Sequence, residues 1–304
     1  MTENSVSNGN KACPKVSLFG FVNIYKPVGM TSHDVVSRLR KVTKIKQIGH
    51  TGTLDPFAEG VLPVSIGKST RLIEYLNDDK EYLATVQFGK NTTTYDVEGD
   101  IVECFDKKVS PQDVVGILDK FRGEIEQLPP IYSAIKVGGK KLYDYARQGQ
   151  SVEIKPRKIF ISKIELESFD EVQQCAVIRI ACSKGTYIRS IAYDMGKYLG
   201  CGGYLTNLIR TKAGKFVVEN SVALDSLQDI SDVDNVLINP LNVLEYPCYK
   251  LNDLEVERVS HGMSLLNKSF ADSDIVILVY SDKIYAIGKV EKNKILVKKV
   301  FEVI

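Results

Sequence analysis

RKIFISKIELESFDEVQQCAVIRIACSKGTYIRSIAYDMGKYLG, residues 157–200, is the stretch on which the fold turns. RKIFISKIELESF and QCAVIRIACS are rich in β-branched and aromatic residues and read as two strands in succession. Lys184, Gly185 and Thr186 then make a turn. Beyond it Ile188, Ile191, Ala192, Met195 and Leu199 recur at helical spacing until Gly200 stops the run. Strands following strands, without regular strand–helix–strand alternation, predict an α+β domain around a mixed sheet.

Upstream, GFVNIYKP (20–27) reads as a strand closed by Pro27, and Thr31 with Asp34 caps a helix from about Ser32 to Lys44. GHTGTLDPFAEGVLPV (49–64) has no clean period; its glycines and prolines predict a shaped loop, with a helix over SIGKSTRLIEYL (65–76) behind it. A strand starts at Tyr82 and a helix at Ser110–Pro111. Residues 123–152 shift in composition, with adjacent prolines, a Gly-Gly pair and the helical fragment KKLYDYARQ stopped by Gly149, and predict an excursion from the main body. From about residue 241 the runs DIVILVYS, KIYAIGKV and KILVKKVFEV predict a small all-β unit. Its basic edge has five lysines between Lys289 and Lys299 against one glutamate. The expected organisation is a disordered tail at 1–17, a main domain at 18–240 and a second unit at 241–304.

Composition sets outer limits. With 44% hydrophobic and 26% charged residues the chain is an ordinary globular one. A net charge of +2, from 40 basic and 38 acidic side chains, identifies no partner, since only clustered charge makes a footprint. Six cysteines without a CxxC pair and three scattered histidines predict a reducing compartment and no metal. The polar first 17 residues lack a signal-peptide core, and no run of about 18 apolar residues occurs, so a cytoplasmic protein without a membrane span is expected.

Two motifs carry chemistry. Asp55 in His50-Thr-Gly-Thr-Leu-Asp55-Pro56 is an aspartate in a glycine-rich, proline-braced loop, the setting that fixes a reactive carboxylate in one orientation. Alone it reads as an Asx-turn or a helix cap. Arg189, in Ser183-Lys-Gly-Thr-Tyr-Ile-Arg189, projects from the first turn of a helix, where a guanidinium can hold a carboxylate ionised. Alone it reads as a surface ion-pair partner.

Together with YKPVGMTSHD (25–34), KEYLA (80–84) and YSAIKVGGKKLYDYARQG (132–149), these motifs stand in an order and spacing that resembles the TruB family of tRNA pseudouridine-55 synthases. The resemblance covers about residues 20–215. It implies a pseudouridine synthase fold with a thumb at 123–152 and a PUA-like RNA-binding domain at 241–304. It also implies isomerisation of one T-arm uridine, flipped out of its stack. Asp55 would be the catalytic carboxylate, Arg189 its partner, and Tyr82 the ring that stacks on the base and accepts a proton. His50, Tyr187 and Leu208 would contact the uridine, with Lys26 and Pro27 supporting the site. No cofactor is implied; the partner is tRNA, and a monomer without an obligatory protein partner is expected. One departure is Thr93, where the family often has a second aspartate; Asp96 is retained.

Rival readings differ in testable ways. Gly67-Lys68-Ser69 imitates the end of a phosphate-binding loop, but six residues separate Gly60 from Gly67 where that loop needs four. Asp55 and Glu59 could serve a glycosylase, which would release uracil. A zinc deaminase is excluded, because the chain has no PCxxC signature. An RNA-binding or tRNA-folding module would keep affinity without turnover.

Overall fold

The computed structural model describes residues 18–267 and 269–301. The tail expected at 1–17 lies outside the described residues.

The chain opens with β1 (Gly20–Lys26) and α1 (Ser32–Thr43). Thr31 and Asp34 form a reciprocal capping box, Val35, Val36 and Leu39 fill the core side, and Lys44 ends the helix in the left-handed conformation. β2 (Ile48–His50) and β3 (Glu59–Ile66) follow, then a 3₁₀ helix over Gly67–Tyr75 and β4 (Lys80–Phe88). A small ribbon, β5 (Lys90–Thr92) with β6 (Ile101–Cys104), precedes α2 (Pro111–Leu118) and β7 (Gly123–Gln127). The projecting segment carries β8 (Lys136–Val137), β9 (Lys140–Lys141) and α3 (Leu142–Arg147). β10 (Arg157–Asp170), β11 (Cys175–Cys182), α4 (Ile188–Leu199) and β12 (Gly203–Ala213) complete the main body, with β13 (Phe216–Val217), β14 (Val222–Ala223) and α5 (Ile230–Asn235) at its margin.

One mixed sheet organises these elements, in the order β14-β1-β3-β12-β4-β11-β10-β7, with β2 and β13 paired at its side. β3 runs parallel to β12 and β1 parallel to β14; the other neighbours along this path are antiparallel. The α+β expectation is met. The stretch read as a loop through residue 64 needs correction, since Glu59–Ile66 is a strand buried at every position but its first. A strand buried on both faces has no alternation to betray it, and Gly60 and Pro63 imitate loop punctuation. The helix expected over 65–76 is accordingly the shorter 3₁₀ helix. β12, for which the sequence predicted nothing, pairs along its whole length with β4. Gly123–Gln127 is an edge strand paired to β10, so the excursion leaves the sheet only after Gln127.

The second unit has β15 (Cys248–Lys250), α6 (Asp253–Ser260), β16 (Leu265–Leu266), β17 (Ile275–Tyr280), β18 (Lys283–Glu291) and β19 (Lys294–Val300). Its sheet runs β15-β17-β18-β19-β16; α6 makes it β-rich rather than all-β. It is fused to the main body through one apolar cluster that joins Phe21, Val61, Leu72 and Phe216 to Ile277, Ile287 and Phe301. Of the basic edge, Lys289 and Lys298 pair with Glu291, and Lys299 pairs with Glu74 of the 3₁₀ helix.

Where β3 meets β12, Gly60 adopts φ +104°, and a Cβ there would lie 2.4 Å from the Arg210 carbonyl oxygen. Gly60→Ala is therefore expected to destabilise the fold by roughly 2–3 kcal/mol or more, read as a lowered urea midpoint with unchanged slope. A midpoint equal to wild type would show that the junction yields.

Candidate active site

Asp55 lies in the loop between β2 and β3, and that loop is pinned on every side. Ser32, at the start of α1, accepts from Leu54 N at 2.8 Å and donates to Leu54 O at 3.1 Å. On the other flank the Pro56 carbonyl accepts from Gly29 N at 2.8 Å and from Lys26 Nζ at 3.3 Å. Beneath, fully buried Arg210 donates to the carbonyls of Val61, Thr53 and Gly52 at 2.7, 3.3 and 3.0 Å. Three elements distant in sequence thus hold one short loop, and Asp55 has little backbone freedom left.

Arg189 reaches Asp55 from α4. It stands in the first turn of α4, where its charge opposes the helix dipole and needs carboxylates around it. Nε lies 3.0 Å from Asp55 Oδ2 without its N–H pointing at an acceptor, and Nη2 donates to Asp55 Oδ1 at 3.4 Å. The same guanidinium sits 3.2 Å from Asp96 Oδ2, and donates to the carbonyls of Thr94 at 3.2 Å and Tyr132 at 3.1 Å. Side-chain exposures are 6% for Arg189, 3% for Asp96 and 34% for Asp55. Of these three side chains Asp55 is the most exposed.

The helix start is fixed in turn by Gln127, which accepts from Tyr187 N at 2.8 Å and donates to Tyr187 O at 2.9 Å. Asp55, Tyr82, Tyr187, Arg189 and Leu208 line a single cleft of about 630 Å³, together with Tyr132 from the root of the projecting segment. Four tyrosines, Tyr82, Tyr132, Tyr143 and Tyr187, stand in that wall beside Asp55, and their faces suit a planar base. Burial pushes the Tyr82 phenol above its usual range, opposed by the charge of nearby Arg210, so the ring is neutral at physiological pH. Burial likewise raises the Asp96 carboxyl, partly offset by Thr94 and Arg189.

Other expected residues fall behind the wall. His50 ends β2 just before the loop; its Nδ1 is buried without a hydrogen-bond partner, burial lowers its pKa, and it does not line the cleft. Pro27 is exposed, and its carbonyl accepts from Lys26. Lys26 is fully buried, bonded also to Met30 O at 2.7 Å. Arg210 and Gln127 escaped sequence reading altogether. Each stands among other polar residues of its strand, and only the backbone groups it meets reveal its task.

Burial lowers the Lys26 ammonium from 10.5 to about 8, opposed chiefly by Asp55. Between these values the unfolded chain binds a proton that the folded one does not, so this residue's contribution to stability becomes more favourable as pH rises through that window. The stability difference between wild type and Lys26→Met is expected to move in favour of wild type by up to about 3 kcal/mol from pH 7 to pH 10.5. Paired urea titrations check it; a pH-independent difference would show that the amine is not shifted.

Residues 40–188 match the family described as TruB family pseudouridylate synthase (N terminal domain), and residues 189–243 match the tRNA pseudouridylate synthase B C-terminal domain. A tRNA pseudouridine synthase B of Clostridioides difficile (strain 630) is 44% identical over 286 residues, covering 90% of this chain and 94% of the relative. One from Staphylococcus aureus (strain JH9) is 40% identical over 303 residues, covering 93% and 99%. Among solved structures, the "Crystal Structure of a Cbf5-Nop10-Gar1 Complex" superposes with TM-score 0.70 and 27% identity, covering 99% of this chain and 92% of that one.

Proposed function

The chain belongs to the TruB family of pseudouridylate synthases and isomerises uridine to pseudouridine in tRNA, and from that premise we propose that it acts on position 55 of the T arm, with Asp55 as the catalytic carboxylate. The observation that carries this reading is the buried guanidinium of Arg189 holding a half-exposed carboxylate at the wall of an aromatic cleft. Pseudouridine formation breaks N1–C1′, turns the freed uracil and joins C5 to C1′, with the C5 proton leaving and N1 gaining one. Atoms and electrons balance within the substrate, so neither oxidant nor energy source is required.

Roles follow from place. Arg189 pairs with Asp55 and aims it. Tyr82, with its phenol kept neutral, offers a face that offsets stacking lost when the uridine leaves the RNA. Tyr187 and Leu208 close the pocket around the base, and Lys26, bonded to the carbonyls of Pro27 and Pro56, braces the loop from behind. Residues 128–156 serve as the thumb; Lys136, Lys140, Lys141 and Arg147 supply its charge for the phosphate backbone. The β-rich unit at 241–304 is PUA-like, and Lys292 and Lys294, exposed at its last hairpin, are its RNA-facing charges.

The Cbf5 relative is described in a complex with two further proteins. Here the thumb insertion favours an enzyme that needs no protein partner. Among the described residues no helix is long and apolar enough to cross a membrane.

Tritium release from tRNA labelled at uracil C5, followed by sequencing, tests the reading. Release at the T-arm uridine with the base retained is the expected result; release of free uracil would make the protein a glycosylase, and tRNA binding without release a folding module. Affinity for tRNA should fall linearly on a log–log plot against salt, by about 0.7–0.9 per phosphate neutralised. A flat plot would remove RNA as the ligand.

A further inference from the structure

Thr92-Thr-Thr-Tyr-Asp96, where the sequence departs from its family at Thr93, supplies two of the groups on Arg189. The departure itself is absorbed locally: Thr93 Oγ1 accepts from Asp100 N at 3.2 Å, and Thr93 N donates to Asp100 O at 2.9 Å. What ties this loop to the main body is less ordinary. Tyr95 sits at φ +64°, a left-handed conformation that bulky residues rarely adopt. Its ring stacks on Tyr193 with centroids 4.1 Å apart and planes 18° from parallel. Tyr193 follows Arg189 by four positions on α4, so one helix face presents guanidinium and ring to the same loop. Between them the loop is fastened at Thr94 O and Asp96, with Leu205 N donating to Tyr95 O at 3.0 Å from the opposite side. Backbone held in a sparsely populated conformation persists only where its surroundings compensate for it.

We propose that the Tyr95–Tyr193 stack is a positioning element, which holds the Thr94 carbonyl and the Asp96 carboxylate on Arg189 and so sets the orientation of Asp55 for isomerisation. Neither ring lines the cleft, so neither is a catalytic residue. The proposal rests on the function argued above and adds to it two residues that act through Arg189.

The test is single-turnover pseudouridine formation with saturating enzyme, beside tRNA affinity and thermal melting. Tyr95→Gly is the decisive variant, because glycine accepts a positive φ without strain and keeps the chain folded while removing the ring. It and Tyr193→Ala are expected to lose at least about tenfold in rate with affinity within about twofold, as displaced catalytic groups do. Tyr95→Phe and Tyr193→Phe keep the stack and should hold about half the wild-type rate or more. The double variant should be no slower than the slower single one by more than about twofold, since both remove one interaction. Wild-type rates in Tyr95→Gly and Tyr193→Ala, additive losses, or losses matched by lowered melting alone would overturn the proposal. Asp55→Asn measured in parallel separates the two levels. If it is inactive while the ring variants are normal, only the stack fails; if it is active, the reading of the site fails first.

Discussion

Asp55→Asn is expected to lower single-turnover pseudouridine formation by at least about 10³-fold while tRNA affinity stays within about threefold of wild type. Asparagine matches the size of aspartate and keeps one oxygen for the guanidinium, so the loop loses charge and little else. Leu54 and Pro56 on either side remain bonded to Ser32, Gly29 and Lys26, through bonds that use neither carboxylate oxygen. Arg189 keeps Asp96, Thr94 and Tyr132 as partners and is not stranded. The chemistry has no such reserve, since among the cleft-lining groups beside Arg189 only this carboxylate joins that ion pair. Rapid-quench assays with C5-labelled tRNA and filter binding read the two quantities separately. Turnover within tenfold of wild type would remove Asp55 from the mechanism.

Arg189→Met should be worse in both respects. Methionine fills much of the same volume but leaves Asp96 buried beside Asp55 without a cation, and breaking a buried pair in this way costs about 3–5 kcal/mol. Activity should fall below detection, because Asp55 loses its aim and its compensating charge together. The sign of the pH dependence follows from Asp96. Its folded carboxyl is already raised by burial, with Arg189 pulling it back. Removing Arg189 raises it further, so the folded variant binds a proton over a wider range than the unfolded chain does, and stability falls as pH rises through that range. The deficit against wild type should be greatest near neutrality and shrink toward pH 4. Urea midpoints at pH 4.5 and 7.5 check this, and a constant deficit would mean that the three groups are not electrostatically coupled.

Much of this site was legible before the structure. Asp55 and Arg189 are each ambiguous in their own segments and stand out only through the joint order of their motifs, and they do meet. Helices α1 and α4 followed from caps and apolar spacing. What escaped was settled by tertiary packing. β3 lacks alternation because both its faces are covered, and β12 earns its strand from β4 rather than from its own polar-interrupted run. Arg210 reads as a surface residue in LIRTKAG, yet it is fully buried against three carbonyls, which no local pattern encodes. His50, expected to contact the base, ends β2 paired with Val64 and is not among the residues that line the cleft.

The aromatic seam where Phe21 and Phe216 share a cluster with Phe301 has an evolutionary and practical corollary. Each half of the polypeptide supplies part of the other's interior, so a hybrid gene spliced near residue 240 from two relatives inherits mismatched surfaces. Such chimaeras should be insoluble until the rings on both sides of the splice come from the same parent, and inherited changes in one half should be accompanied by compensating changes in the other.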